Sequence, residues 1–136
     1  MTSHRTYHVL LYSDDPAVRD RIRLAIGARP ASDLAVTFVE ASTYLECVRH
    51  VDDGDIDLLV LDGEAVPAGG LGIARQLRDE LDDCPPIVVV IARAADRWLA
   101  AYARVDATLV HPLDPVTTGR TVATLLRHEA TASPAA

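Results

Sequence analysis

Asp14 and Asp62 are the residues whose placement points to chemistry. Each follows an apolar run that reads as a buried strand, where a carboxylate has few structural reasons to be. Two carboxylates held close in a partly dry cleft repel one another, and a hard divalent cation such as Mg²⁺ relieves the repulsion by taking oxygen ligands at about 2.1 Å. A carboxylate in such a cleft can also attack a phosphoryl group. A plainer reading makes Asp14 turn chemistry ahead of a helix and Asp62 a strand terminator, and spacing alone leaves both open. His111, ahead of Pro112, is a third group of interest: its imidazole is either a proton carrier near neutral pH or a neutral hydrogen-bonding residue at a proline turn.

Composition narrows the field. With 136 residues the chain has room for one domain of ordinary size, expected over 7–129 between an N-terminal tail at 1–6 and a flexible tail at 130–136. Thirteen basic side chains against twenty acidic ones give a net charge of -7, and all thirteen are arginine. The absence of lysine excludes Schiff-base and phosphate-loop lysine chemistry. The acidic balance argues against nucleic acid as a partner. No apolar run is long enough for membrane insertion and the first residues, MTSHRT, are not signal-like, so a cytoplasmic protein is expected. Cys47 and Cys84 lack metal-ligand spacing and read as reduced structural thiols.

The elements that must carry these residues alternate. His8–Tyr12, Ala35–Val39, Asp57–Leu61, Ile87–Ile91 and Thr108–Val110 read as strands. Asp15 and Pro16 suit the cap and first turn of a helix with Val18, Ile22 and Ile26 on one face and Gly27 near its end. Tyr44–Val51 and Leu99–Ala103 read as short helices. Gly69-Gly70 opens a helix lined by Leu71, Ala74, Leu77 and Leu81, and Asp114-Pro115 starts the last one, with Val122, Leu125 and Leu126 buried. Apolar strands separated by helices predict a doubly wound parallel α/β sheet with helices on both faces. Ligand chemistry in such sheets gathers at the carboxyl ends of the strands. Here these ends are Ser13 to Asp15, Asp62 to Glu64, Ile91 to Arg93, and His111.

Taken together, Val9–Ala17 (VLLYSDDPA), Asp57–Asp62 (DLLVLD), Gly70-Leu71 and His111–Pro115 (HPLDP) resemble the receiver domain of bacterial two-component response regulators, over about residues 7 to 128. That resemblance implies a five-stranded flavodoxin-like fold. It also implies phosphate accepted from a sensor histidine kinase or small phosphodonor on Asp62, and Mg²⁺ held by Asp14, Asp62 and the backbone carbonyl of Glu64. Four positions depart from the family's pattern. Ser13 stands at its first acidic position, which removes a negative charge and predicts weak Mg²⁺ binding. Ile91 stands at its hydroxyl position after the fourth strand, Thr108 at its aromatic switch, and His111 at its lysine, ahead of a proline that family members hold in a cis peptide. A hydrogen bond to a charged group contributes about 1.5–3 kcal/mol, comparable to a typical site-to-readout coupling of about 1–3 kcal/mol. Losing both the hydroxyl and the lysine therefore predicts weak coupling.

Other features have plain readings. The segment Pro67–Gly72 is not a dinucleotide fingerprint, and no organic cofactor is expected. Arg19, Arg21 and Arg23 read as solvated or paired with Asp20; His4, His8, His50 and His128 have no chelating spacing; Trp98 and Tyr102 are either recognition aromatics or packing. The chain thus reads as a stand-alone, atypical receiver in phosphorelay signalling rather than an enzyme. Its output would pass through an unknown protein effector, or a homodimer formed by the fourth helix, fifth strand and fifth helix. Two alternatives remain: a phosphorylation-independent pseudo-receiver scaffold, and a small flavodoxin-like nucleotide-binding enzyme using Asp14, Asp62 and His111.

Overall fold

Strands that are apolar without interruption can be buried only where both faces of their sheet are covered, and this chain covers both. The computed structural model describes residues 5–65 and 69–132. Its elements are β1 (Thr6–Tyr12), α1 (Pro16–Ile26), β2 (Ala35–Ala41), α2 (Tyr44–Asp52), β3 (Leu58–Asp62), α3 (Gly70–Glu80), β4 (Ile87–Ile91), α4 (Arg97–Tyr102), β5 (Ala107–Val110) and α5 (Pro115–Ala132), with a 3₁₀ turn at Ala94–Asp96. Pro67 and Ala68 of the glycine-rich segment, His4 and the side chain of Tyr102 lie outside the described residues.

All strand pairs are parallel, in the order β2-β1-β3-β4-β5. Alternation along each strand divides the core in two. Val9, Leu11, Leu58, Val60, Val88 and Val90 pack with Ile22, Ile26, Val122 and Leu126 of α1 and α5. Leu10, Tyr12, Leu59, Leu61, Val89 and Ile91 pack on the other face with Cys47, Ile73, Ala74, Leu77 and Ala103. Burial pushes the Cys47 thiol up to about 12, in keeping with its reading as a structural thiol.

Several boundaries differ from the sequence reading. β1 begins at Thr6 and β2 continues to Ala41, because backbone pairing in register Thr6↔Ala35 to Tyr12↔Ala41 carries polar residues into the ladder. Asp57 lies before β3 and ties it to β1: its carboxylate accepts the His8 N–H at 2.8 Å and pairs with Arg5 at 2.8 Å. The helix caps follow the sequence, with the Asp15 carboxylate accepting the Ala17 N–H at 2.9 Å and the Asp114 carboxylate the Thr117 N–H at 2.9 Å.

Strand order reverses between β1 and β3, which opens a cleft at their carboxyl ends. α3 closes in on one side of it because Gly70 has no side chain: a Cβ there would lie 2.7 Å from the Asp62 carbonyl oxygen and 2.9 Å from the Leu61 Cβ. Two residues on, a Cβ at Gly72 would meet nothing within 4 Å. The two glycines should therefore respond to alanine with opposite signs in urea denaturation. Gly70→Ala should lose about 1–3 kcal/mol through overpacking, whereas Gly72→Ala should gain about 0.5–1 kcal/mol by removing a flexible residue from the helix.

Candidate functional site

Pairing of β1 with β3, ending at Tyr12↔Leu61, brings the two acidic strand ends side by side. Asp62 is only 3% exposed, and a buried carboxylate must be met by donors. One carboxylate oxygen accepts the hydroxyl of Ser13 at 2.7 Å and the other accepts the Glu64 N–H at 2.9 Å. Ser13, itself fully buried, accepts the Asp15 N–H on the same hydroxyl oxygen at 3.0 Å. Its backbone N–H donates to the Ala41 carbonyl at 3.2 Å. The serine therefore links the cap of α1 directly to the Asp62 carboxylate. In sequence Ser13 is legible only as a lost charge; the hydrogen bond spans 49 residues of chain, and no local pattern announces it.

Asp14, Asp15, Val18, Arg21, Asp62, Glu64 and His111 line an open pocket of about 330 Å³. Four of the seven are carboxylic residues, so the pocket has a strong acidic excess. His111 closes one wall. Its N–H donates to the Ile91 carbonyl at 3.0 Å, and the His111-Pro112 peptide is cis. Ile91 and Thr108 do not line this pocket. Ile91 is fully buried in the core with Cys47 of α2, Ile73, Ala74 and Leu77 of α3, and Ala103. Thr108 lines a separate groove of about 140 Å³ with Arg97, Thr117 and Thr118.

Among the described residues no group of three or more His, Cys, Asp or Glu side chains is gathered into a metal cage. Mg²⁺ demands less than that, since it commonly keeps several waters and takes only one or two carboxylates. Asp14 and Asp62, sharing one open acidic pocket with Glu64, fit that sparse mode of binding.

The α1 arginines divide their work, which corrects their shared reading as solvated or paired with Asp20. Arg23 does pair with Asp20, at 2.8 Å, but also with Glu40 on β2. Arg19 bonds Glu40 at 2.8 Å and donates to the Ser13 carbonyl, clamping the loop that presents Asp14. Arg21 stands apart from that network: it is exposed and lies at the boundary of two adjoining pockets, the one holding Asp62 and one lined by Leu24, Ala25, His111, Pro112, Leu113 and Pro115. Its spacing from Val18, three residues earlier on the same helix and also in the pocket, is the signal that could have placed it there.

No family model matches the chain. Two curated response regulatory proteins of Mycobacterium tuberculosis, from different strains, are each 48% identical over 126 residues, 92% of this chain and 95% of theirs. Among solved structures, the signal receiver domain of an HD domain-containing protein from Pseudomonas fluorescens superposes with a TM-score of 0.77 at 15% identity, over 96% of this chain and 94% of that one. A LuxR-family two-component response regulator from Aurantimonas gives 0.74 at 25% identity, over 91% and 87%. A Thermotoga maritima response regulator in complex with Mg²⁺-BeF gives 0.72 at 22% identity, over 88% and 98%.

The Arg19 hydrogen bond, aided by the charges of Arg19 and Arg23, lowers the pKa of Glu40 below its ordinary value of 4.5. A depressed native value means that the stabilisation is present above pH 4.5 and is lost as pH falls through the native value. Urea denaturation across a pH series should show Glu40→Gln less stable than wild type at neutral pH, with the difference closing under acid. A constant difference would show that the clamp works through packing rather than charge.

Proposed function

The chain belongs to the response regulators of two-component signalling, and on that premise we propose that Asp62 is the residue that accepts the phosphoryl group. The observation that carries this reading is the Asp62 carboxylate itself, held at the end of β3 by two donors and facing an open acidic pocket. In the transfer, an Asp62 oxygen attacks phosphorus and forms an O–P bond. The bond from phosphorus to the donor breaks, and its electron pair leaves with the donor group. The Ser13 hydroxyl and the Glu64 N–H orient the carboxylate for that attack. Asp14, Asp62 and the Glu64 carbonyl would hold Mg²⁺, which when bound supplies positive charge against the repulsion between the acids and the phosphoryl oxygens. With a serine at position 13 in place of an acid, the site attracts Mg²⁺ less strongly than a three-carboxylate site would.

The donor in this reading is a sensor histidine kinase or a small acyl phosphate, and the domain acts in the cytoplasm as a signalling module rather than an enzyme. Among the described residues no helix is long and apolar enough to cross a membrane. Output passes to a protein effector or a second copy through the face of α4, β5 and α5, where Trp98 is 68% exposed. Ile91 offers no hydroxyl and Thr108 no aromatic ring, which supports a weak link between Asp62 and that face.

The same two residues favour a second reading, in which the protein is a scaffold whose binding does not depend on phosphate. Intact mass after incubation with Mg²⁺ and acetyl phosphate separates the two. Wild type should gain one phosphoryl group and Asp62→Asn none, with Trp98 fluorescence changing little on phosphorylation. A wild type that gains nothing would sink the phosphoacceptor reading and leave the scaffold.

A further inference from the structure

Arg21 is the one cation with a fixed charge among the described residues that line the Asp62 pocket. Arg19 and Arg23, four residues apart, share a face of α1 and are both engaged, with Glu40, Asp20 and the Ser13 carbonyl. Two residues along a helix turn the side chain by about 200°, so Arg21 projects away from that network. It makes no hydrogen bond or ion pair with any described residue, although Asp14, Asp15, Asp62 and Glu64 line the same pocket. The chain offers no alternative of the usual kind, since every one of its thirteen basic side chains is an arginine. His111 shares the pocket, but its backbone N–H is held by the Ile91 carbonyl and its ring offers no planar fork of donors like a guanidinium's.

We propose that the Arg21 guanidinium binds the oxygens of the phosphoryl group delivered to Asp62. The inference rests on the reading of Asp62 as phosphoacceptor and adds a residue to it. A phosphoryl group entering this pocket brings negative charge to a wall of four carboxylic residues, and Arg21 is placed to offset it. A guanidinium suits that role because it stays charged and its planar fork presents parallel N–H donors to two phosphoryl oxygens. With no partner among the described residues, Arg21 loses no existing ion pair to them when it turns toward the anion. Its site on α1 sets it at the pocket rim, from which it can meet the phosphoryl group as it arrives.

Two measurements on wild type, Arg21→Ala, Arg21→Lys and the neighbouring control Leu24→Ala test this. The first is the affinity for beryllofluoride with Mg²⁺, and for Mg²⁺ alone, by calorimetry. The second is the rate of phosphoryl gain from acetyl phosphate by intact mass. Arg21→Ala should weaken beryllofluoride binding and slow phosphorylation by about 10-fold or more, the scale of one charge-assisted hydrogen bond. Affinity for Mg²⁺ alone should hold or tighten, because a positive charge has gone. Arg21→Lys should recover part of the loss, and Leu24→Ala should behave as wild type. An Arg21→Ala protein with wild-type affinity and rate overturns the inference while leaving Asp62 as the acceptor. Beryllofluoride binding that needs Arg21, in a wild type that gains no phosphate, overturns phosphoryl acceptance and keeps the anion site. A wild type that neither binds beryllofluoride nor gains phosphate overturns both.

Discussion

The Asp62 carboxylate ends a strand whose other residues are fully buried, and at 3% exposure it must find its hydrogen bonds inside the protein. Leaving such a group without donors costs several kcal/mol, by the usual order of magnitude for buried charge. The surroundings answer that constraint piece by piece. β1 lies beside β3 and delivers the Ser13 hydroxyl, and the turn after β3 delivers the Glu64 N–H. The Asp15 N–H holds the serine oxygen, and Arg19 holds the serine carbonyl. Gly70 lets α3 settle against the Asp62 backbone, where any side chain would collide. Much of the local structure at this end of the sheet serves one carboxylate.

The surroundings of the carboxylate differ in kind from the positions that the family resemblance marks for a relay. The acids at 14 and 62 lie where the family resemblance leads one to look for them, and His111 stands at the pocket wall. Ile91 and Thr108, at the positions where that resemblance leads one to expect a relay, are of a different kind. Ile91 is packed into the core on the far face of the sheet, with only hydrocarbon to offer. Thr108 lines a small groove with Arg97 of α4 and Thr117 and Thr118 of α5, and carries no aromatic ring. A coupling of about 1–3 kcal/mol needs distinct contacts in the two states, and neither residue supplies an obvious pair. Ser13 shifts the balance at the site itself, replacing the charge of an acid with a neutral hydroxyl that bonds Asp62 directly.

The order of strands and helices, the parallel sheet covered on both faces, the caps at Asp15 and Asp114, and the acids at the ends of β1 and β3 were all legible from the chain. Each is written in local pattern: alternation in a strand, spacing on a helix face, a capping residue before a proline. Boundaries were less so, as at Thr6 and Asp57, because a ladder extends by backbone pairing that does not depend on side-chain polarity. The partners of side chains were not legible at all. That Ser13 bonds Asp62, that Glu40 takes Arg19 and Arg23, and that Arg21 is left lining the pocket follow from which strands are neighbours and in what register. Strand neighbours are chosen by the packing of the whole sheet between its two helical layers. The sequence by itself thus determined which residues could do chemistry and at which ends of which elements they stand. Only the tertiary structure decided which of them meet, because those meetings join segments that only a common sheet brings together.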